Sequence, residues 1–340
     1  MSQKAFDELD HLQALIAQAG HRIEVDILLD VRYHNQVFPV HCITLGSKRV
    51  DAPVLAFFGG VHGLEKIGTE VILAYLTTLI ESLDWDYELM TRLEQCRLVF
   101  VPIVNPVGVY RGTRSNANGV DLMRNAPVDG TGRFRLYSGH RLTRRLPWYR
   151  GDESQMEAEA EALCRVVRQH LFSAPVAMAI DLHSGFGIQD RLWFPYASKR
   201  APFPHLAETF ALKALFDRTY PQHVYRIEPT SNEYVIHGDL WDYLYDEFNL
   251  NRSDDQFFLP LTLEMGSWLW LRKSPLHLFY RHGWFHPLLP HRRQRILRRH
   301  LILFDFLIRA LLNPAAWARS SASLRKTHHE QAMRLWYGHD

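Results

Sequence analysis

Cysteine is scarce in this chain. Cys42, Cys96 and Cys164 are the only three in 340 residues, widely separated and without a C-x-x-C pair. That leaves no even-numbered disulfide framework and points to reduced thiols in a cytoplasmic protein. Each reads as a small buried residue. An apolar signal-like core is also missing from the opening MSQKAFDELDHLQALIAQAG, whose apolar residues are spaced as in an amphipathic helix. No run approaches the ~18 uninterrupted apolar residues that a membrane span needs. Charge of one sign is nearly absent too. The formal net charge is +2, which implies no polyanionic partner. What remains is ordinary for a globular protein with a sizeable core: 47% apolar and 22% charged residues. The length suits one large α/β domain or two smaller ones.

Apolar periodicity supplies the elements. Residues 4–19 read as a helix ended by Gly20, and 22–31 and 38–46 as two paired strands. The run at 53–58 reads as a buried strand, broken by Gly59 and Gly60 and followed by a helix from about Lys66 to Leu83. Further strands are expected at 97–104, 176–182, 191–196 and 260–266, and helices at 152–171 (capped by Asp152), 204–217 and 290–312. Strands alternate with helices throughout, which favours an α/β fold with a largely parallel sheet. Without a repeat or a long linker, 1–315 reads as one domain. The Ala-, Ser- and Arg-rich tail 316–340 has no structure fixed by its pattern. Residues 105–150, rich in Gly, Asn, Arg and Pro, form a loop region long enough to suggest a function.

The chemistry gathers where apolar strands stop. His62 and Glu65 follow the Gly-Gly break at a spacing of i, i+3, which places both side chains on one face of a helix-opening turn. Such a pair is often a mere surface contact. It is also a partial ligand set for catalytic zinc, and the carboxyl end of a strand is where ligands bind in open α/β sheets. His183 ends the run VAMAIDL in the same way. Alone it reads as a hydrogen-bonded core histidine. With His62 and Glu65 it completes a His₂Glu set, leaving a fourth position for water. Asp181 could orient one of the ligands. Glu264 interrupts the apolar PLTLEMG, so it is either paired or functional, since an unpaired buried charge costs several kcal/mol.

Five phrases occur in order: G-G-V-H-G-L-E, N-P-V-G-V-Y-R-G-T-R-S, N-G-V-D-L-M-R-N, D-L-H-S-G and L-T-L-E-M-G. From about residue 50 to 270 the chain thereby resembles the M14 family of zinc metallocarboxypeptidases. The first phrase is also similar to that of the aspartoacylase and succinylglutamate desuccinylase branch. The resemblance implies a single α/β domain with a central mixed, largely parallel twisted sheet flanked by helices. It implies one zinc ion per chain, held by His62, Glu65 and His183, with Glu264 as general base and acid. Arg114 would stabilise the oxyanion. Arg124, with Asn125 beside it, would bind the substrate carboxylate, and Tyr234 would be the mobile tyrosine that covers the substrate. Arginine suits both jobs because it stays charged and presents a planar fork.

Two departures bear on the substrate. Met123 stands where the family usually has Asn, and Leu64 where digestive carboxypeptidases have Arg. They move the expectation from any peptide C-terminus towards a special small peptide, an amide or an N-acyl amino acid. Asp239 and Asp242 could attract a cationic side chain or simply be surface acids. The basic stretch 291–300 reads as a solvated helix start, with no nucleic-acid or membrane partner expected. Trp268 and Trp270 read as packing. The reading is a zinc-dependent amide hydrolase. The alternatives are an N-acyl amino acid deacylase and a non-catalytic zinc-containing binding protein. Oligomeric state is not legible.

Overall fold

A computed structural model describes residues 5–133, 135–268, 284–287 and 289–338. Its strands are β1 (Glu24–Tyr33), β2 (Gln36–Gly46), β3 (Val54–Gly59), β4 (Arg97–Val101), β5 (Val176–Ser184), β6 (Arg191–Phe194), β7 (Arg226–Pro229) and β8 (Phe257–Met265). They form one sheet in the order β1-β2-β4-β3-β5-β8-β6-β7. β4, β3, β5 and β8 run parallel as the centre, while β1, β2 and the β6–β7 pair complete a mixed sheet. Every position of β3 and β5 is buried. Continuous apolar sequence is what a strand covered on both faces requires.

The helices are α1 (Asp7–Ala19), α2 (Lys66–Ser82), α3 (Tyr87–Gln95), α4 (Pro106–Arg111), α5 (Ala158–His170), α6 (Leu206–Thr219), α7 (Leu240–Asn251), α8 (Pro290–Arg299), α9 (Leu301–Leu312) and α10 (Ala322–Trp336). Several boundaries differ from the sequence reading. α3 was not anticipated; Asp86 caps it by accepting from Leu89 N at 3.0 Å. Asp152 does not cap α5, because its carboxylate accepts from Ser154 N at 2.8 Å and the helix starts six residues later. The strand expected over 97–104 stops at Val101, and Val104 N then turns to donate to Gly59 O. The helix expected over 290–312 divides at the buried His300, whose Nδ1 lies 2.8 Å from the Tyr225 hydroxyl. Part of the tail is helical: α10 lies against α6, where Arg325 Nε meets Glu208 Oε1 at 2.7 Å. In the basic α8, Arg293 and Arg299 pair with Glu70 and Asp190, while Ile296 is buried. Trp268 is half exposed and donates to Gly185 O at 2.8 Å; Trp270 lies outside the described residues. No helix of the described residues is long and apolar enough to cross a membrane.

What matters for function is the end of the sheet at which β3, β5 and β8 stop side by side. His183 and Glu264 are register partners there. Residues that interrupt three apolar strands are thereby brought to one place.

Candidate active site

The turn after β3 is shaped by backbone packing. Gly60 has φ +63°, a conformation that favours glycine. A Cβ on Gly63 would stand 1.8 Å from the carbonyl carbon of Gly108, so the H-G-L-E turn and α4 touch backbone to backbone. Asn105 ties the two together, donating to Val61 O at 3.1 Å and accepting from Gly108 N at 2.8 Å. The N-P-V-G phrase thus braces the turn that carries His62 and Glu65.

Glu65 precedes the first residue of α2 but makes no cap. Its carboxylate faces the cavity instead. Oε1 lies 3.0 Å from His62 Nδ1, and Oε2 lies 3.0 Å from His183 Nδ1 and accepts from Ser184 N at 3.0 Å. The opposite nitrogens face aspartates. His62 Nε2 is 2.9 Å from Asp121 Oδ1, and His183 Nε2 is 2.9 Å from Asp181 Oδ2. Trp241 Nε1 donates to that same Asp181 oxygen at 3.0 Å. Both imidazoles therefore turn Nδ1 to a common point and rest Nε2 on a carboxylate, the arrangement that orients metal-binding histidines. The ligand atoms of His62, Glu65 and His183 all lie within 4.8 Å of one another. Ligands ~2.1 Å from one tetrahedral ion would stand roughly 3.4 Å apart. The donor set therefore fits zinc.

Asp121 is the residue that sequence reasoning passed over. Fully buried, it also accepts from Arg114 Nε at 2.7 Å and from Arg124 Nη1 at 3.1 Å. One carboxylate thus orients a histidine and anchors both arginines. The available signal was an acid inside the apolar phrase G-V-D-L-M. Burial opposes the Asp121 charge, but Arg114, Arg124 and His62 hold its carboxyl well below the usual range. Glu65 is likewise held below its ordinary value, because its two imidazole neighbours outweigh burial. For His183 burial favours the neutral ring, and Asp181 and Glu65 outweigh it, raising its pKa well above the usual value.

Glu264 behaves differently. Burial, and then the Glu65 charge, push its carboxyl up to about 8. A dication on the three ligands would act in the opposite direction. Its Oε1 accepts from Phe186 N at 2.9 Å, which aims the group.

These side chains line a cavity of about 470 Å³. His62, Glu65, Arg114, Arg124, His183, Tyr234 and Glu264 all reach it, and so does Met123. Asn125 does not. Expected beside the substrate, it spends its side chain on the loop: its amide donates to Arg150 O at 2.8 Å and accepts from Glu157 N at 2.6 Å. Tyr234 is half-buried, its ring 5.7 Å from those of Phe186 and Trp193. Asp239 and Asp242 are buried rather than surface acids, and both line the cavity. Asp242 accepts from the backbone of Ala197 and Ser198, whereas Asp239 accepts from Asp242 N as the cap of α7. Burial and the Asp242 charge raise the Asp239 pKa well above its ordinary value.

Comparison with known proteins adds a lineage to this geometry. The zinc carboxypeptidase family model matches residues 30–273. Carboxypeptidase SOL1 of Arabidopsis thaliana is 25% identical over 259 residues, covering 71% of this chain and 48% of that protein. Murein peptide amidase A of Escherichia coli (strain K12) is 32% identical over 154 residues, 41% of this chain and 58% of that one. The chain spans about half the length, or less, of the curated carboxypeptidases it matches. Among solved structures, the carboxypeptidase A from Helicoverpa armigera superposes with a TM-score of 0.67 at 15% identity, covering 92% of this chain and 73% of that one. Bovine thrombin-activatable fibrinolysis inhibitor, solved in complex with tick carboxypeptidase inhibitor, gives a TM-score of 0.64 at 15% identity, with 94% and 99% covered. At that identity the likeness is one of fold.

Proposed function

The chain belongs to the zinc carboxypeptidase family, and from that premise we propose that it is a zinc-dependent hydrolase cutting an amide bond next to a free carboxylate. The observation that carries the reading is the Glu65 carboxylate shared between two histidine Nδ1 atoms, with Glu264 opposite His183 in the sheet register. His62, Glu65 and His183 would hold one zinc per chain. Bound zinc supplies a Lewis acid that polarises a carbonyl and acidifies water near neutral pH. Glu264 accepts the proton of the attacking water at its carboxylate and returns it to the leaving amine. Arg114, fixed by Asp121, supplies positive charge where the carbonyl oxygen becomes negative. Arg124, on the same aspartate, takes the substrate carboxylate.

The substrate is a small peptide. Asp239 supports a finer reading, a preference for a cationic group on the last residue. Among the described residues no cation is bonded to its buried carboxyl, on which the Arg124 charge acts without a bond, and an ammonium in the cavity would favour its charged form.

A substrate panel tests this with the zinc-loaded protein. It contains peptides ending in Lys, Arg or Leu, their carboxyl-blocked forms, and N-acyl amino acids. Hydrolysis of the free peptides, fastest for the basic ends, is expected. Equal cleavage of blocked peptides removes the role of Arg124. Turnover of N-acyl amino acids alone makes the chain a deacylase, and bound zinc without any turnover makes it a binding protein.

A further inference from the structure

Residues 230–234 carry Tyr234 and leave the sheet from its β6–β7 edge. Their backbone is stitched to the end of β6 and the residues after it. Thr230 Oγ1 donates to Phe194 O at 3.2 Å, Ser231 N to Tyr196 O at 2.9 Å, and Ile236 N to Ala197 O at 3.0 Å. Two further sets of contacts reach this segment and the strands it leaves.

On one side Glu233 pairs with Arg191 of β6, and Arg226 Nη1 stands 3.9 Å away. Arg191 also lies over the Phe186 ring, 5.0 Å from its centroid. Phe186 is the residue whose N–H holds Glu264. The cap and the proposed base therefore meet at one arginine. On the other side stands α10. Trp336 Nε1 donates to Ile227 O of β7 at 2.9 Å, and its ring meets Phe194 at 4.7 Å. Asn232 Nδ2 donates back to Trp336 O at 3.2 Å. Trp336 is 6% exposed and its bond to Ile227 is buried, whereas Asn232 reaches it from an exposed position. α10 lies beyond the residues that the family model matches, so the family likeness gives it no role.

We propose that α10 and the Arg191–Glu233 pair clamp residues 230–234 from two sides, holding Tyr234 over the cavity before substrate arrives. Trp336 and Glu233 are then positioning residues, and the C-terminal helix is a working part of the site. The physical advantage is that substrate need not order the cap itself, a cost that would otherwise reduce affinity. The inference rests on the hydrolase reading only for its kinetic half; the clamp itself is read independently.

The test uses the full zinc-loaded chain with Trp336→Ala, Glu233→Gln and Asn232→Ala, and Trp336→Phe as the conservative variant. Amide hydrogen exchange over 230–236 should quicken in the first two variants while that of β5 stays unchanged. Zinc content should stay that of the parent. KM should rise about tenfold with a smaller change in kcat, in line with a small displacement near the site. Trp336→Phe should recover most of the loss, since it keeps a ring against Phe194. If Trp336→Ala fails to fold, Glu233→Gln and Asn232→Ala carry the same readouts, the latter with the smaller effect. Unchanged exchange over 230–236 overturns the clamp. Faster exchange with an unaltered KM overturns its role in binding. If the parent hydrolyses nothing, the functional reading fails, and exchange alone decides the clamp by the same criterion.

Discussion

Glu65 and Asp239 line the cavity, Asp121 is bonded to His62, Arg114 and Arg124 of its wall, and all three carboxylates are buried. Glu65 faces two imidazoles, and Asp121 faces an imidazole and two guanidinium groups; both are held below the ordinary range. Asp239 has a second acid, Asp242, as its neighbour and is pushed far above that range. Glu264 is buried beside the first group yet shares the behaviour of the second, rising to about 8. Burial is common to all four, so the partners decide which of them stays charged. One set supplies fixed negative charge for cations to rest on. The other can exchange a proton, and catalysis needs that property at only one of its members.

The largest expected effect separates these sets at Glu264. Glu264→Gln keeps the shape but cannot accept a proton, so kcat should fall by ~10²–10⁴ while zinc content and melting temperature hold. Near-normal turnover by a folded, zinc-loaded variant would remove Glu264 from the chemistry. Loss of folding instead would mark it as a structural group.

Next in size, Arg124→Ala should strip Asp121 of one partner and cost substrates with a free carboxylate about 2–5 kcal/mol of binding. Carboxyl-blocked analogues should be hardly affected. An equal loss for both kinds of substrate would mean that Arg124 serves only to keep Asp121 ionised.

A smaller effect is expected at Asp181, which supports His183 and is itself held by Trp241. Asp181→Asn should weaken zinc binding by ~10–100-fold, measured by competition with a chelator. Unchanged affinity would show that the aspartate does not orient the ring.

The least effect is expected from Asp239→Asn, read in thermal melts across pH. Because the folded-state pKa of Asp239 is raised, the folded chain binds more protons than the unfolded one above the ordinary carboxylate range. Stability should therefore fall as pH rises from about 4 towards the raised value. Asparagine also caps helices well, so the variant should fold, lose that slope and melt higher at neutral pH. An unchanged slope would place Asp239 among the ordinary carboxylates and dissolve the contrast.

Much of this was legible because it depends on local interruption of a pattern. Glu264 interrupts an apolar run and His62 and His183 stand where one stops, and the sheet carries those three places to one end. The direction of a side chain in a loop was harder to read. Nothing adjacent in sequence says that Asn125 will be used by Arg150 and Glu157, or that Asp239 will be buried against Asp242. The same holds for His300, where a helix divides and whose ring meets a tyrosine 75 residues away. α10 was missed because its pattern is weak, and its one deeply set aromatic, Trp336, finds its partners in β6 and β7.

The pairing of His183 with Glu264 in one hydrogen-bonded ladder has a consequence for how this scaffold can vary. Their spacing is set by the distance between neighbouring strands, about 4.8 Å, and not by the loops that follow. Insertions after either strand change what surrounds the pair without altering its gauge. A slip of one residue between β5 and β8 would instead turn one of the two side chains to the far face of the sheet. The reacting groups are therefore insulated from length changes in the loops and intolerant of any change inside the strands, so new specificity is expected to arise from the loops alone.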